Sequence, residues 1–567
     1  MERSVARLLL LQRIHREYGP GLAGRKLSLL QGLRRARLPS AVAVKRLHEI
    51  LCFLRALPDN RAVLGTVIQM LKGFSTRSDL RRVASRLESS GIAGTAIVYP
   101  FFMGTAEWIA SKWPEHLRVD WDAVAAPERD RIETWLEYLA HYGETPALDV
   151  LPLPLQEWIA RMKGEGETDA AFLVRRYAAL QAGPRIRQQV YEELDLTLRL
   201  APGPGTPSRT LAAVPRPVHF QRGPLDSSRP DLRADLARAP FPVRAVSVDQ
   251  GRRLIDLARE AMITRERDLD AFAYGDPRDV RIVDCGEGLE LVAIGMIPER
   301  RLLLEAFYGL LTLKNGVPIG YVGMGALFGS AEIAYNVFDT WRGSEAARGY
   351  SALLTTAATL FRADAFFVTP YQLGDDNEEG IESGAWWFYR KLGFVPRNAA
   401  ARALMRQEQS RIRRNERYRS NAATLRRLAK HSMFLWRDTP RDDILGILPL
   451  ERVGLAVMRY LSRRFGSDRE AASEACAREA ATRIGLRSPP RLSQAERLWW
   501  NRWAPLILCL PGVEGWNRRE RIALVEIVKA KAGRRESDYV MKVDNHPRLR
   551  AALRRLTVTP RRSPSSV

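Results

Sequence analysis

The dipeptide Asn315-Gly316, set between two strand-like runs, constrains the fold of this chain more than any other feature. The runs cover residues 308–314 and 317–327 and are rich in apolar side chains. Asn-Gly is the strongest short signal for a hairpin, because both residues tolerate the positive φ of a two-residue turn. The sequence therefore predicts an antiparallel hairpin in the middle of the chain.

The hairpin belongs to a longer series of strand-like runs. The other runs are 243–248, 290–296 and 331–339, and a helix is predicted over 249–264. Apolar residues at helical spacing from Tyr350 to Phe361 then precede a short apolar run at 365–369. Strand, helix and strand in this order form a crossover that makes the two strands parallel. We therefore predict a mixed α/β sheet, in which an antiparallel meander becomes parallel at its end.

Composition and periodicity divide the 567 residues into five segments. A stretch rich in Pro, Gly and Ser separates a helical region from the middle domain, and a basic helical region follows that domain. The predicted segments are 1–200 (helical, role unknown), 201–230 (linker), 231–398 (mixed sheet), 399–556 (basic, helical) and 557–567 (disordered tail). We expect both flanking regions to be all-α.

The chain carries a formal net charge of +24, from 89 basic and 65 acidic residues. Such an excess is typical of proteins with an anionic partner, such as nucleic acid or cofactor phosphates. It also arises when an Arg-rich surface is simply solvated. Aromatic residues are not interleaved with the basic ones as a stacking platform requires, so nucleic acid is possible but is not the favoured partner.

The cysteine, histidine and hydropathy patterns exclude several classes of protein. The four cysteines form no CxxC pair and no HExxH or HxxxH spacing occurs, so we expect neither a disulfide framework nor a metal site. No run approaches the ~18 apolar residues of a membrane span. We expect a cytoplasmic protein, although the Arg-rich start shares features with mitochondrial presequences.

The residues 340–349, which lead from a predicted strand into a predicted helix, favour an anion site. The free N–H groups and the partial positive charge of a helix N-terminus attract anions. Gly343 and Ser344 allow close approach to the backbone, while Arg342 and Arg348 provide charge suited to phosphate oxygens. Many helices begin in this way without binding a ligand, so the loop alone is a weak signal.

A second motif, at 383–394, resembles the closing motif of GNAT acetyltransferases, approximately Ala-x-x-hydrophobic-Tyr-x-x-hydrophobic-Gly-Phe. The matching residues are Ala385, Phe388, Tyr389, Leu392, Gly393 and Phe394. The preceding loop is similar to the family's pyrophosphate signature, Arg/Gln-x-x-Gly-x-Gly/Ala, with Arg342 at its start and Ala347 at its end. The resemblance extends from about residue 241 to 397.

The resemblance implies a GNAT-like sheet and a co-substrate, acetyl-CoA or another acyl-CoA, with no metal. The acyl-CoA would lie in the splay between the strand that ends at Asp339 and the strand 365–369. Backbone groups near Val337 and Phe338 would hold its pantetheine arm. The residues implied for its pyrophosphate are Arg342, Gly343, Ser344, Glu345, Ala346, Ala347 and Arg348.

Two side chains are candidates for proton transfer in the implied reaction. An amine would attack the thioester while a base accepts its proton and an acid protonates the departing thiolate. Tyr389 resembles the family's thiolate-protonating Tyr, and the alternative is a core aromatic beside Trp386 and Trp387. Glu332 lies on the strand where some family members place a carboxylate, and the alternative is an exposed charge near a strand end.

The sequence departs from the family pattern at two positions. Glu345 stands where the pyrophosphate signature has its middle Gly, which brings a carboxylate to the predicted phosphate site. Glu382 replaces an Asn that is common before the motif Tyr, although Asn377 lies near. The acidic residues within 375–379 either bind a cationic acceptor or form a solvated helix start.

Three functions remain open. The leading hypothesis is an acyltransferase that moves an acyl group, acetyl in the simplest case, from acyl-CoA to an amine of an unknown acceptor. The second is a non-catalytic scaffold or binding protein with a GNAT fold. The third is a GNAT-like transferase with an aminoacyl-tRNA donor. CoA binding distinguishes the first from the other two, and bound RNA distinguishes the third from the second.

Overall fold

Two sheets and a large set of helices make up the structure, a computed structural model that describes residues 2–226, 228–343, 345–486 and 490–558. The strands are β1 (Ile97–Tyr99), β2 (Leu117–Val119), β3 (Leu198–Leu200), β4 (Val243–Ala245), β5 (Gly275–Asp284), β6 (Leu289–Met296), β7 (Ala306–Lys314), β8 (Val317–Leu327), β9 (Ser330–Val337), β10 (Ala365–Val368), β11 (Val395–Pro396) and β12 (Met433–Trp436).

The helices before the central strands and those after them are as follows. The first group is α1 (Glu2–Ile14), α2 (Leu22–Leu33), α3 (Ala41–Ala56), α4 (Arg61–Lys72), α5 (Ser78–Val83), α6 (Met103–Lys112), α7 (Ala126–Leu139), α8 (Thr145–Leu148), α9 (Leu155–Met162), α10 (Asp169–Ala178), α11 (Pro184–Glu193), α12 (Leu232–Ala237), α13 (Val248–Ile263) and α14 (Asp270–Ala273). The second group is α15 (Ala346–Phe361), α16 (Pro370–Leu373), α17 (Glu378–Glu382), α18 (Ala385–Lys391), α19 (Ala399–Arg414), α20 (Ala422–Ala429), α21 (Glu451–Phe465), α22 (Arg469–Arg483), α23 (Gln494–Cys509), α24 (Arg518–Lys531), α25 (Glu536–Asp544) and α26 (Pro547–Thr557).

The central sheet has nine strands in the order β11-β12-β10-β9-β8-β7-β6-β5-β4. The strands from β4 to β9 form an antiparallel meander, and β10 runs parallel to β9. The helix α15 makes the crossover between these two parallel strands, as the sequence predicts. The predicted mixed α/β sheet flanked by helices is therefore confirmed.

The predicted hairpin joins β7 to β8. Lys314 pairs with Val317, and both turn residues have positive φ, 51° at Asn315 and 77° at Gly316. A Cβ atom at Gly316 would lie 2.0 Å from the carbonyl oxygen of Val214, so close packing also requires glycine. The Asn315 side chain donates a hydrogen bond of 2.8 Å to the carbonyl oxygen of Ala56, which ties the turn to α3.

We predicted that both flanking regions are all-α, and this prediction is wrong. Each region contributes short strands. In the N-terminal region, β1, β3 and β2 form a separate three-stranded sheet. Beyond residue 398, β12 inserts between β10 and β11 of the central sheet and is antiparallel to both. Strands of three or four residues are too short to show the period-2 pattern that distinguishes a strand from a buried helix segment.

The ten-residue strand β5 is absent from the sequence-based prediction because charged residues interrupt it. Asp279 is fully buried and accepts a hydrogen bond of 2.6 Å from the Tyr308 hydroxyl group. Asp276 is also buried, and its carboxylate binds Arg278 at 2.7 Å. Hydrogen-bond and ion-pair partners within the protein therefore offset the free-energy cost of burying these carboxylates. The sequence alone does not reveal those partners.

The segment 201–230, predicted to be a linker, contains no helix or strand in its described part, which excludes Ser227. It is nevertheless packed against the rest of the protein. Thr210 is fully buried and hydrogen-bonded to His48 at 2.8 Å, and the Val214 N–H donates to the Gly316 carbonyl oxygen at 3.0 Å. In the predicted tail, Thr557 ends α26 and residues 559–567 lie outside the described residues.

Both faces of the central sheet are buried, one against each flanking region. One face, with Tyr308 and Met324, packs against α15 and the C-terminal helices. The other face, with Ile294 and Leu311, packs against α13 and the N-terminal helices. The hydrophobic core therefore continues across the two predicted segment boundaries, and a third cluster surrounds the small sheet.

Candidate functional site

The parallel strands β9 and β10 separate after a short paired segment. Their register pairs are Ser330 with Ala365, Ala331 with Phe366 and Glu332 with Phe367. Beyond Glu332, β9 continues to Val337 and pairs with β8 alone among the described residues. This one-sided pairing leaves an opening in the sheet, the splay, bounded by the second half of β9 and the end of β10.

The backbone groups of β9 that point into the splay follow from the alternation of an antiparallel ladder. The Phe338 N–H donates to the Ile319 carbonyl oxygen at 2.9 Å, on the β8 side. The backbone groups of Tyr335 and Val337 and the carbonyl oxygen of Ile333 therefore face the splay, whereas the Ile333 N–H group belongs to the last register pair with β10. Of the two residues predicted for the pantetheine arm, Phe338 faces away from the splay, and the Val337 carbonyl oxygen already accepts a hydrogen bond of 3.3 Å from Arg342.

Glu332 lies at the branch point, in the last register pair before the strands separate. Its side chain is partly buried beside Gly325, the register partner on β8. Burial and the nearby Glu305 raise the pKa of the Glu332 carboxyl group, and a hydrogen bond from Thr369 opposes the rise. A carboxyl group with a raised pKa in this position is suited to accept a proton near neutral pH.

Tyr389 is buried in an aromatic cluster beneath α15. Its ring makes edge contacts with Tyr350, Phe388 and Phe394, at centroid distances of 5.3 to 5.9 Å. Burial raises the pKa of the Tyr389 hydroxyl group above its ordinary value, so the group stays protonated near neutral pH. The cluster continues through Tyr350 to Tyr335 of β9. Because odd and even residues of a strand alternate, Tyr389 and Glu332 lie on opposite faces of β9.

The loop after β9 has an unusual backbone at its end. Gly343 has φ of 76° and Glu345 has φ of 45° and ψ of 23°, which is left-handed. The helix α15 then begins at Ala346, and within the described residues no side chain caps its N-terminus. Ala347 and Arg348 lie in the first turn of this helix, whereas Ser344 lies outside the described residues.

Carboxylates bind both arginines that the sequence predicts as phosphate ligands. Arg342 forms ion pairs with Asp339, at 3.0 Å, and with Glu379. Arg348 binds Glu287 at 2.7 Å and lies 3.8 Å from Glu345. The anion-binding groups of the loop are therefore already engaged by acidic side chains of this chain.

Glu345 itself lies against a buried lysine that the sequence does not single out. The Lys314 ammonium group, at the end of β7, is 3.5 Å from the Glu345 carboxylate. Only 7% of the Lys314 side chain is exposed, against 16% for Glu345. Together with Arg348 they line a small cavity of about 40 Å³ at the end of β9. The N-cap residue of α15, where a phosphate was predicted, thus carries a carboxylate that binds Lys314 rather than the helix N–H groups.

The N-terminal region also contacts this loop. The Arg16 guanidinium group donates hydrogen bonds to the carbonyl oxygens of Arg342, at 2.8 Å, and Thr340, at 3.0 Å. The Thr340 hydroxyl group is hydrogen-bonded to the Glu49 carboxylate. Arg16 precedes the loop by more than 320 residues and belongs to no local motif, so no sequence signal identifies it.

The acidic run at 375–379, one candidate for binding a cationic acceptor, is partly neutralised. Glu378 binds Arg426 at 2.9 Å, and Glu379 binds Arg342. Asn377 caps the helix α17 through a hydrogen bond of 3.2 Å from the Gly380 N–H. The interpretation of this run as the start of a helix therefore accounts for Asn377, Glu378 and Glu379.

Wider comparisons do not extend the site. Among the described residues there is no group of three or more His, Cys, Asp or Glu side chains that could hold a metal ion. No described helix is long and apolar enough to cross a membrane. A scan against protein-family models, a search of the curated proteins and a search of the solved structures each find no match.

Proposed function

We propose that this chain is a GNAT-type acyltransferase that moves an acyl group from acyl-CoA to an amine. The observation that carries the proposal is the splay between β9 and β10, with Glu332 at its branch point. The strand β9 leads from this opening into the uncapped N-terminus of α15. The carbonyl oxygen of Ile333 and the backbone groups of Tyr335 would bind the pantetheine arm, and the helix N-terminus would bind the pyrophosphate.

The backbone at position 345 supports the resemblance although the residue departs from it. The family signature has Gly there, which adopts a left-handed conformation without strain. Glu345 keeps a left-handed conformation in this chain, at φ of 45°. A non-Gly residue in this conformation costs about 1–2 kcal/mol. The backbone at position 345 therefore has the conformation that the glycine of the signature favours, although glutamate does not favour it.

The proposed reaction needs two proton transfers. The amine nitrogen forms a bond to the thioester carbon and passes a proton to Glu332, whose raised pKa makes it a more effective base. The carbon–sulfur bond then breaks, and Tyr389 donates the proton that converts the thiolate to a thiol. The two groups lie on opposite faces of β9, so they would approach the reacting carbon from two sides of the splay.

One observation favours the second candidate function, a GNAT-fold domain that binds partners without catalysis. The Glu345 carboxylate fills the predicted phosphate position and is held by Lys314 and Arg348. A CoA pyrophosphate would have to displace or tolerate this negative charge. CoA binding therefore separates the two candidates.

Calorimetric titration of the purified protein with CoA and acetyl-CoA tests the proposal. We expect binding of both, and we expect Arg342→Glu to weaken it by at least one charge-assisted hydrogen bond, about 1.5–3 kcal/mol. The control is Arg463→Glu, which makes the same charge change at an exposed site on α21. The absence of binding to the wild-type protein would favour the non-catalytic candidate, and an unchanged affinity in Arg342→Glu would remove the loop from the phosphate site.

A further inference from the structure

A second cavity lies on the other side of the loop, between the N-terminal region and the turn that follows β9. We call it the α1–α3 cleft. Its volume is about 430 Å³, and its walls include Arg16, Lys45 and Arg46 from the N-terminal region. Asp339 and Thr340 of the turn form the opposite wall. This volume is in the range of cavities that bind small molecules.

The α1–α3 cleft carries positive charge that the protein itself does not neutralise. Within the described part of the chain, Lys45 and Arg46 have no carboxylate partner, and Lys45 is exposed to solvent. Arg16 donates hydrogen bonds to two carbonyl oxygens and to the neutral His15 imidazole, none of which compensates its charge. Three cations therefore face one cleft, an arrangement that favours an anionic ligand.

The acidic residues of the cleft do not offset these three cations. Glu49 is bound to Arg209 at 2.5 Å, and Asp339 is bound to Arg342 at 3.0 Å. His15 also lines the cleft. Burial, together with the charges of Arg16 and Lys26, lowers the pKa of His15 to about 4, so its imidazole is neutral near pH 7. The anion-binding capacity thus resides in Arg16, Lys45 and Arg46.

We infer that the α1–α3 cleft binds the nucleotide end of the acyl-CoA, with the 3′-phosphate on Arg16, Lys45 and Arg46. The inference rests on the proposed function. In CoA the pyrophosphate connects the pantetheine arm to the adenosine 3′-phosphate, so a second anion lies close to the first. Arg16 lies between the proposed pyrophosphate site and the proposed 3′-phosphate site, because it lines the cleft and also binds the loop that leads to α15.

The shape of the cleft favours a single nucleotide over a polynucleotide. Its three cations line one open cleft, whereas a nucleic acid requires a basic groove that follows many phosphates. A terminal phosphate monoester carries close to two negative charges near pH 7 and matches clustered Arg and Lys side chains. The N-terminal region would then be part of the co-substrate site.

Titration with CoA and with 3′-dephospho-CoA tests this inference, because the two ligands differ only in the phosphate concerned. We expect the wild-type protein to bind CoA at least about tenfold more tightly, the minimum for one charge-assisted hydrogen bond. The variant Lys45→Ala/Arg46→Ala should lose this difference while its affinity for 3′-dephospho-CoA stays unchanged. Melting temperatures show whether the variant is folded, and the ligand comparison in the wild-type protein does not depend on it.

The matched control is Arg61→Ala/Lys72→Ala, which removes two exposed basic residues at the ends of α4. It should bind both ligands as the wild-type protein does. Equal affinity of the wild-type protein for the two ligands would overturn the inference and leave the proposed function intact. Binding of neither ligand would overturn both. Release of bound RNA by Lys45→Ala/Arg46→Ala, with unchanged CoA affinity, would assign the cleft to a polynucleotide and overturn the inference.

Discussion

Replacing Glu345 by Gln removes one negative charge from the N-cap position of α15 and keeps the size and shape of the side chain. In the proposed complex this carboxylate repels the CoA pyrophosphate. Two unit charges 6 Å apart interact by about 3 kcal/mol at an effective dielectric constant of ~20. The Glu345 side chain is 16% exposed and salt screens part of the interaction, so we expect a gain of about 1–2 kcal/mol in CoA binding. This corresponds to about 5- to 30-fold tighter binding.

The same substitution should lower stability, because Lys314 loses its carboxylate partner while only 7% exposed. Leaving a buried polar group short of a partner costs about 1–3 kcal/mol. Calorimetry at two salt concentrations gives the affinity, and a melting curve gives the stability. The control is Glu474→Gln, an equal charge change on the exposed surface of α22. Weaker or unchanged CoA binding in Glu345→Gln would refute the reasoning, because the carboxylate would then not lie beside the phosphates.

Three further substitutions test the chemistry and the packing. Tyr389→Phe should leave the melting temperature and CoA affinity almost unchanged but lower turnover by about 10²–10⁴-fold in an assay of CoA release, and full activity would remove Tyr389 from the mechanism. In the wild-type protein the rate should rise with pH as Glu332 loses its proton, above the pH range of an ordinary carboxyl group because its pKa is raised. Glu332→Gln should abolish this rise, and an unchanged pH profile would identify another base. Lys531→Met should destabilise the protein by about 3–5 kcal/mol, because it leaves the fully buried Glu536 without its partner at 2.6 Å. A smaller loss of stability in denaturant unfolding would mean that water reaches the pair.

The parts of the fold that depend on local signals could be predicted from the sequence. The turn at Asn315-Gly316 requires positive φ, which few residues tolerate, and the apolar run of β10 is bounded by Pro370. The parallel pairing of β9 and β10 follows from the crossover rule. These features need no information about distant residues.

Pairings between distant segments could not be predicted. The strand β12 is a four-residue apolar run that a helix would also accommodate, and its place beside β10 depends on contacts across about 65 residues of chain. The three-stranded sheet joins β1 and β2 to β3, which follows β2 by about 80 residues. Such strands gain their stability from tertiary partners rather than from intrinsic propensity.

The candidate site shows the same division. The loop and the closing motif are continuous in sequence, so Arg342, Glu345 and Tyr389 could be named before the structure. The charge balance of the loop could not be predicted, because Lys314 and Arg16 contact the loop from distant segments of the chain. The sequence predicts a phosphate site, whereas the structure adds the carboxylates that already bind its arginines.

Amide hydrogen exchange with and without CoA measures the central claim most directly. CoA should slow exchange at Tyr335, whose N–H group faces the splay, and at Ala346 and Ala347 in the first turn of α15. The Phe338 amide, already bonded to Ile319 on the β8 side, should not change. Exchange that stays the same at all three predicted amides under saturating CoA would contradict a co-substrate site between β9 and β10.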